Sequence, residues 1–105
     1  MIVHQVHDQD FLDTYCVGFD RYHMPSGAPR EDNFKDYVLG TYDQTPKTPD
    51  WASKICGVSP EKIEQLALEM ATVKPMTMRA SQAPARTDNG ARFVQAFYTV
   101  GSMTG

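Results

Sequence analysis

Two helix-start signals in close succession, Thr48-Pro49-Asp50 and Ser59-Pro60-Glu61, constrain this chain more than any other feature. In each, a hydroxyl side chain at the N-cap accepts from free backbone amides, and proline takes the first helical position, where its missing N–H costs nothing. An acid in the first turn then meets the positive end of the helix dipole. Trp51, Ala52, Ile55 and Cys56 supply the apolar stripe of the first helix, and Gly57 with Val58 fits its C-terminal cap. Ile63, Leu66, Ala67 and Met70 recur at i, i+3, i+4 and i+7 in the second, and Lys74-Pro75 stops it. Residues 48–74 are therefore expected to form a corner of two packed helices.

The flanks are less regular. Ile2, Val3 and Val6, then Phe11, Leu12, Tyr15, Cys16 and Phe19, follow helical spacing, which predicts a first helix in two parts with Asp8 or Asp10 as cap. Residues 20–33 carry Pro25, Gly27 and Pro29 and read as a loop. Phe34, Tyr37, Val38 and Leu39 suggest one or two helical turns ended by Gly40, and 41–47 is again loop. Beyond Pro75, Met76, Met78 and Ala80 alternate with Thr77 and Arg79, the pattern of a short strand. A loop over 81–89 leads to a last helix carrying Phe93, Ala96, Phe97, Val100 and Met103 or Thr104, with Asn89 as its N-cap. The fold class expected is α/β: a mostly helical chain with one short strand, ordered helix–helix–strand–loop–helix. It is read as a single incomplete domain over 1–105, because the apolar pattern is still running at Gly105. Its parts are a helix with irregular loops over 1–47, paired helices over 48–74 and strand–loop–helix over 75–105. Incomplete burial of the terminal helices predicts low stability or self-association.

Composition excludes several functions. Hydrophobic residues make 41% and charged residues 22%, ordinary values for a globular chain, and the net charge is −3. An acidic chain has no electrostatic footprint for nucleic acid or an anionic membrane, so neither is expected as a partner. No apolar run is long enough to cross a bilayer, and residues 1–10 lack the basic and apolar regions of a signal peptide. Cys16 and Cys56 sit in no metal-spacing motif and are expected as buried free thiols on helix faces.

Chemistry, where present, is expected after the strand. A loop that leaves a strand and enters a helix N-terminus meets free amides and a positive dipole end, which favour anions. Ser81, Gln82, Arg86, Asn89 and Gly90 lie there. Arg86 offers a planar fork of donors suited to phosphate, and Gly90 lets a backbone approach a ligand. The competing reading makes Arg86 a solvated surface charge and Asn89 only a cap. A type I′ hairpin at Asn89-Gly90 is rejected, because its flanks lack alternating apolar residues. His4 and His7 lack further ligands to complete a zinc site, and His23, near Asp20 and Arg21, has no nucleophile to activate. No catalytic and no metal-binding residue is assigned.

Four runs resemble the catalytic subunits of the dimethyl sulfoxide reductase family of molybdopterin oxidoreductases, in the same order and at similar spacing. They are Asp10-Phe11-Leu12 through Tyr15-Cys16-Val17-Gly18-Phe19-Asp20; Phe34-Lys35-Asp36-Tyr37-Val38-Leu39-Gly40; Lys47-Thr48-Pro49-Asp50-Trp51-Ala52 with Ile55-Cys56-Gly57-Val58; and Lys74-Pro75. In the loop that follows, Pro84, Arg86, Asn89 and Gly90 match the family pattern, while Gln82 stands where tryptophan is usual, Ala85 where glutamine is, and Ala91 where an acid is. The resemblance implies a fragment of an α/β domain in a larger subunit that holds bis(molybdopterin guanine dinucleotide) with molybdenum or tungsten.

It further implies that Arg86, Asn89, Gly90, Gln82 and Ser81 touch the cofactor, Gln82 replacing stacking with hydrogen bonding. An iron–sulfur cluster would lie elsewhere in the parent, and no cofactor is expected on these residues alone. Implied partners are the rest of the catalytic subunit, an iron–sulfur subunit and a membrane anchor, with the parent exported to the periplasmic or outer face of the membrane. The activity implied is two-electron oxygen-atom transfer on an S- or N-oxide or an oxyanion, with the isolated chain inactive. The alternatives are a small helical interaction module and a non-catalytic remnant.

Overall fold

The computed structural model describes all 105 residues. Five α-helices follow in order: α1 (Gln9–Tyr15), α2 (Phe34–Leu39), α3 (Pro49–Cys56), α4 (Pro60–Thr72) and α5 (Ala91–Ser102). Short 3₁₀ turns at Arg30–Asp32 and Pro84–Arg86 precede α2 and α5.

Local chemistry sets most of these boundaries. The Asp8 carboxylate accepts from the Phe11 amide at 2.9 Å, so Asp8 rather than Asp10 caps α1. Asn33 is wholly buried and caps α2, accepting from the Asp36 amide at 2.9 Å while donating to the Arg30 carbonyl at 2.8 Å. Gly40 ends α2 at φ 71°, and a Cβ there would lie 2.5 Å from the Pro46 nitrogen, so no other residue fits. Thr48 and Ser59 cap α3 and α4 as expected, each hydroxyl accepting from an amide three residues on, and Gly57 closes α3 in the left-handed region. The two helices pack against each other as a corner.

The core is small and draws on three distant stretches. Leu12 of α1, Phe19 of the following loop and Met103 just past α5 are the buried apolar residues, flanked by half-buried Met1, Ile2, Cys16 and Phe34. The Asp8 amide donates to the Met103 carbonyl at 2.9 Å, and the Lys74 ammonium donates to the Thr104 carbonyl. Phe19 reaches the core because the chain turns at Gly18, with φ 84°, and is pinned by Phe34 N–H to Gly18 carbonyl (3.0 Å) and Lys35 N–H to Phe19 carbonyl (2.8 Å). No helix is long and apolar enough to cross a membrane.

Several sequence expectations need correction. The fold is helical, with no strand, so the α/β class does not hold. Residues 76–80 lie outside any regular element and have no neighbouring strand; alternation cannot make a strand without a ladder partner. Residues 2–5 form turns rather than a helix, broken where Gln5 adopts φ 53°. Phe19 lies beyond α1, which stops at an extended Cys16.

The stripe of α3 is laid out as read but not buried: Ile55 is 69% exposed and Trp51 37%. Cys56 is exposed, and Cys16 is half-buried against the edge of the core, so neither thiol is fully buried. A folded monomer of this mass exposes about 5,900 Å², whereas this chain exposes 7678 Å². The excess, about 1,800 Å², is roughly twice the ~800 Å² that one partner loses in a standard protein–protein interface.

Leu12→Ala, which empties the centre of the core, is expected to cost about 2–5 kcal/mol in urea unfolding followed by circular dichroism. Ile55→Ala, on the bare face of α3, is expected to cost less than about 0.5 kcal/mol in the same experiment.

Candidate functional site

The loop from Ser81 to Gly90 is folded by its own backbone. The 3₁₀ turn Pro84–Arg86 is closed by Ala85 N–H to the Gln82 carbonyl and Arg86 N–H to the Ala83 carbonyl, both 3.1 Å. The Thr87 hydroxyl donates back to the Pro84 carbonyl at 2.8 Å, and the Ser81 hydroxyl accepts from the Ala83 amide at 3.4 Å. Across this turn the Arg86 guanidinium donates through Nη2 to Gln82 Oε1 at 3.2 Å.

Gly90 then seats the turn on α5. A Cβ at Gly90 would lie 2.4 Å from the Pro84 carbonyl oxygen and 2.6 Å from that of Ala85. Its φ of −59° is ordinary, so glycine is needed here for close approach and not for backbone freedom. The approach is to the chain's own turn, which corrects the reading of Gly90 as a ligand-facing gap. Asn89 does not cap α5: Gly90 occupies the N-cap with no side-chain hydrogen bond, and Asn89 sits at φ 58°, a conformation asparagine tolerates. Because Gly90 has negative φ, a type I′ turn is excluded.

Ser81, Gln82, Arg86 and Asn89 are all solvent-exposed on this one loop, and Gly90 is buried beneath it. Residues 79–92 hold three arginines (Arg79, Arg86 and Arg92) against the single acid Asp88, so this stretch is positive in a chain of net charge −3. Hydroxyl, carboxamide and guanidinium donors on a locally positive loop suit a phosphate-bearing group.

Two other places carry polar chemistry. At the end of α1, His23 Nδ1 lies 3.0 Å from Asp20 and 3.4 Å from Asp13, a juxtaposition that helical spacing alone did not show. Asp20 is 8% exposed, and its Oδ1 also accepts from the Tyr22 amide (2.9 Å) and the His23 amide (3.1 Å). Gln9 Nε2 donates to Asp13 at 2.6 Å and to Asp20 at 3.3 Å. Burial alone would push the Asp20 carboxyl up, but hydrogen bonds from the His23 ring and the two amides outweigh it and hold the carboxyl below its ordinary value. An aspartate that accepts from the amides two and three residues on forms an Asx-type turn, a local signal from which the Asp20–His23 contact could have been read.

His4 and His7 do not converge: His4 Nε2 meets Glu64 at 2.7 Å and His7 Nε2 meets Gln9 at 3.0 Å. Between the loops around α2, a cleft of about 440 Å³ is lined by Glu31, Asp32, Asp36 and Asp43 with Tyr37 and Tyr42. Its sign is opposite to what a phosphate ligand requires.

The chain is 41% identical over its whole length to the probable dimethyl sulfoxide reductase chain YnfF of Escherichia coli, spanning 13% of that protein. It is 41% identical, with the same coverage, to the dimethyl sulfoxide reductase DmsA of Escherichia coli. Over 69% of the chain it is 42% identical to the trimethylamine-N-oxide reductase of Haemophilus influenzae, covering 7% of it. No family model and no solved structure matches.

These relatives are reductases and therefore oxidoreductases. By sequence the chain matches one segment of the dimethyl sulfoxide reductases.

Two outcomes test this geometry. Gly90→Ala should drive the Pro84–Arg86 turn off α5, seen as amide chemical-shift changes concentrated in 82–92 together with a lower melting temperature. Asp20 has a depressed folded-state pKa, so its contribution is complete above the unfolded value near 3.8 and is lost as pH falls through the lower folded value. The acid limb of the stability–pH curve should accordingly flatten in Asp20→Asn, with a uniform loss above pH 5.

Proposed function

We propose that this segment helps to hold the molybdopterin guanine dinucleotide of a molybdenum- or tungsten-dependent S- or N-oxide reductase, with the loop 81–90 against its phosphate-bearing part. The observation that carries the reading is 40–41% identity, over the entire chain, to dimethyl sulfoxide reductases. The loop's local positive charge and its exposed donors at Ser81, Gln82, Arg86 and Asn89 support it.

When bound, such a cofactor supplies the two-electron oxygen-atom transfer, and the protein supplies position and electrostatics. In this reading Arg86 neutralises phosphate charge through its planar donor fork, and Ser81, Gln82 and Asn89 add neutral donors. Gly90 acts indirectly, by letting the turn that carries Arg86 rest on α5. The Asp13, Asp20 and His23 cluster locks the exit of α1.

The whole protein's setting extends the proposal. The chain spans 13% of the dimethyl sulfoxide reductases that it matches end to end, and the surface in excess of a compact monomer is what further polypeptide of such a subunit would cover. Iron–sulfur and membrane-anchor subunits, and work at the outer face of the cytoplasmic membrane, complete the proposed assembly.

Metal and pterin analysis provides the test. A reductase containing this segment, purified after growth with molybdate, should hold molybdenum and guanine nucleotide. Its Arg86→Ala variant should retain clearly less of both. Equal cofactor content in the two proteins would overturn the assignment of the loop. The 105-residue chain by itself should bind no molybdenum and reduce neither dimethyl sulfoxide nor trimethylamine N-oxide.

A further inference from the structure

We infer that Gln82 is a positioning residue for Arg86, holding the guanidinium in place for a phosphate or pyrophosphate group; this rests on the reading of the loop 81–90 given above. An exposed arginine normally samples many rotamers, and fixing them on binding costs conformational entropy. Here the backbones of both partners are already fixed, because the amides of Ala85 and Arg86 close the 3₁₀ turn onto the carbonyls of Gln82 and Ala83. The turn itself is clamped by the Thr87 hydroxyl and by its seat on Gly90. The side-chain bond from Arg86 Nη2 to Gln82 Oε1 at 3.2 Å therefore links two anchored residues rather than two loose ones.

Chemistry favours a neutral partner in this role. A carboxylate would hold the guanidinium more strongly, but its charge would oppose an incoming anion. A carboxamide orients the fork, consumes one of its five donors and leaves the positive charge uncompensated. The Gln82 Nε2 makes no hydrogen bond within the protein and remains available as a further donor. No acidic side chain forms an ion pair with Arg86. Preorganisation of this kind raises affinity by lowering the ordering cost at the moment of binding.

The experiment uses the 105-residue chain, its Gln82→Met and Gln82→Glu variants, and inorganic pyrophosphate as probe. Relaxation of the Arg86 Nε resonance reads side-chain order without ligand, and amide shifts of residues 81–92 read pyrophosphate binding. The wild type should show an ordered Nε and saturable binding. Gln82→Met should lose the order and bind about two- to fivefold more weakly, the range expected for one exposed charge-assisted bond. Gln82→Glu should keep the order yet bind more weakly than the wild type, which a merely structural role would not produce. Equal Nε mobility in the wild type and Gln82→Met would overturn the positioning role, whether or not pyrophosphate binds. An Arg86 ordered by Gln82 in a chain that shows no saturable binding would instead overturn the phosphate reading of the loop, and this inference with it.

Discussion

Everything in this molecule hangs from the seat that Met103 takes beside Leu12 and Phe19. That one contact joins the end of α5 to α1 and to the loop after it, and the hydrogen bond from the Asp8 amide to the Met103 carbonyl fixes its register. Because α5 is a continuous helix of 12 residues, its N-terminus is held about 18 Å from that seat. The loop bearing Arg86 is thus positioned by a lever whose fulcrum is a three-residue core. A shift of packing at Leu12 or Phe19 must reappear as a tilt at Gly90, since a helix transmits displacement along its length far better than it absorbs it.

So small a core cannot account for a chain of this length by itself. Complete burial of an aliphatic or aromatic side chain contributes about 1.5–3 kcal/mol, so three such residues offset only a small part of the ordering entropy of a hundred residues. The remaining apolar faces point outward: Ile55 and Val58 at the α3–α4 corner, Leu66 on α4, Phe93 and Tyr98 on α5. They have the form of faces that other layers of a larger domain would cover.

What the sequence made legible follows this division between local and non-local physics. Caps are written into a few adjacent residues, so Thr48, Ser59, Gly40 and Gly57 could each be read directly and stand where they were read. The strand at 76–80 could not be read in this way, because alternation describes a face while a strand requires a neighbour. The burial of Cys56 and of the α3 stripe failed for the same reason: periodicity says which side of a helix is apolar but not whether anything covers it. Asn89 has the right side chain for a cap and was outcompeted by the close approach of Gly90 to the preceding turn. In the candidate site, residue type pointed to Arg86, but only the fold brings Gln82 to it, across a 3₁₀ turn that no helical or strand period describes. Asp13 was missed beside His23 because the two meet through a turn organised by Asp20.

The exposure of the loop bears on how an anion site of this kind gains strength. Two unit charges 4 Å apart interact by about 1 kcal/mol in water, and by about 4 kcal/mol at an effective dielectric of 20. Arg86 in its present setting belongs to the first case, since both it and its neighbours Gln82 and Asn89 face solvent. Layers of polypeptide that covered α4 and α5 would also exclude water from the loop between them and move Arg86 toward the second case. Burial of the bare helical faces and strengthening of the anion site would then be one event. The segment contributes preformed geometry, in the 3₁₀ turn, the Gly90 seat and the Gln82–Arg86 link, which holds an anion weakly in water, while the low dielectric that strengthens that hold comes from what packs around it.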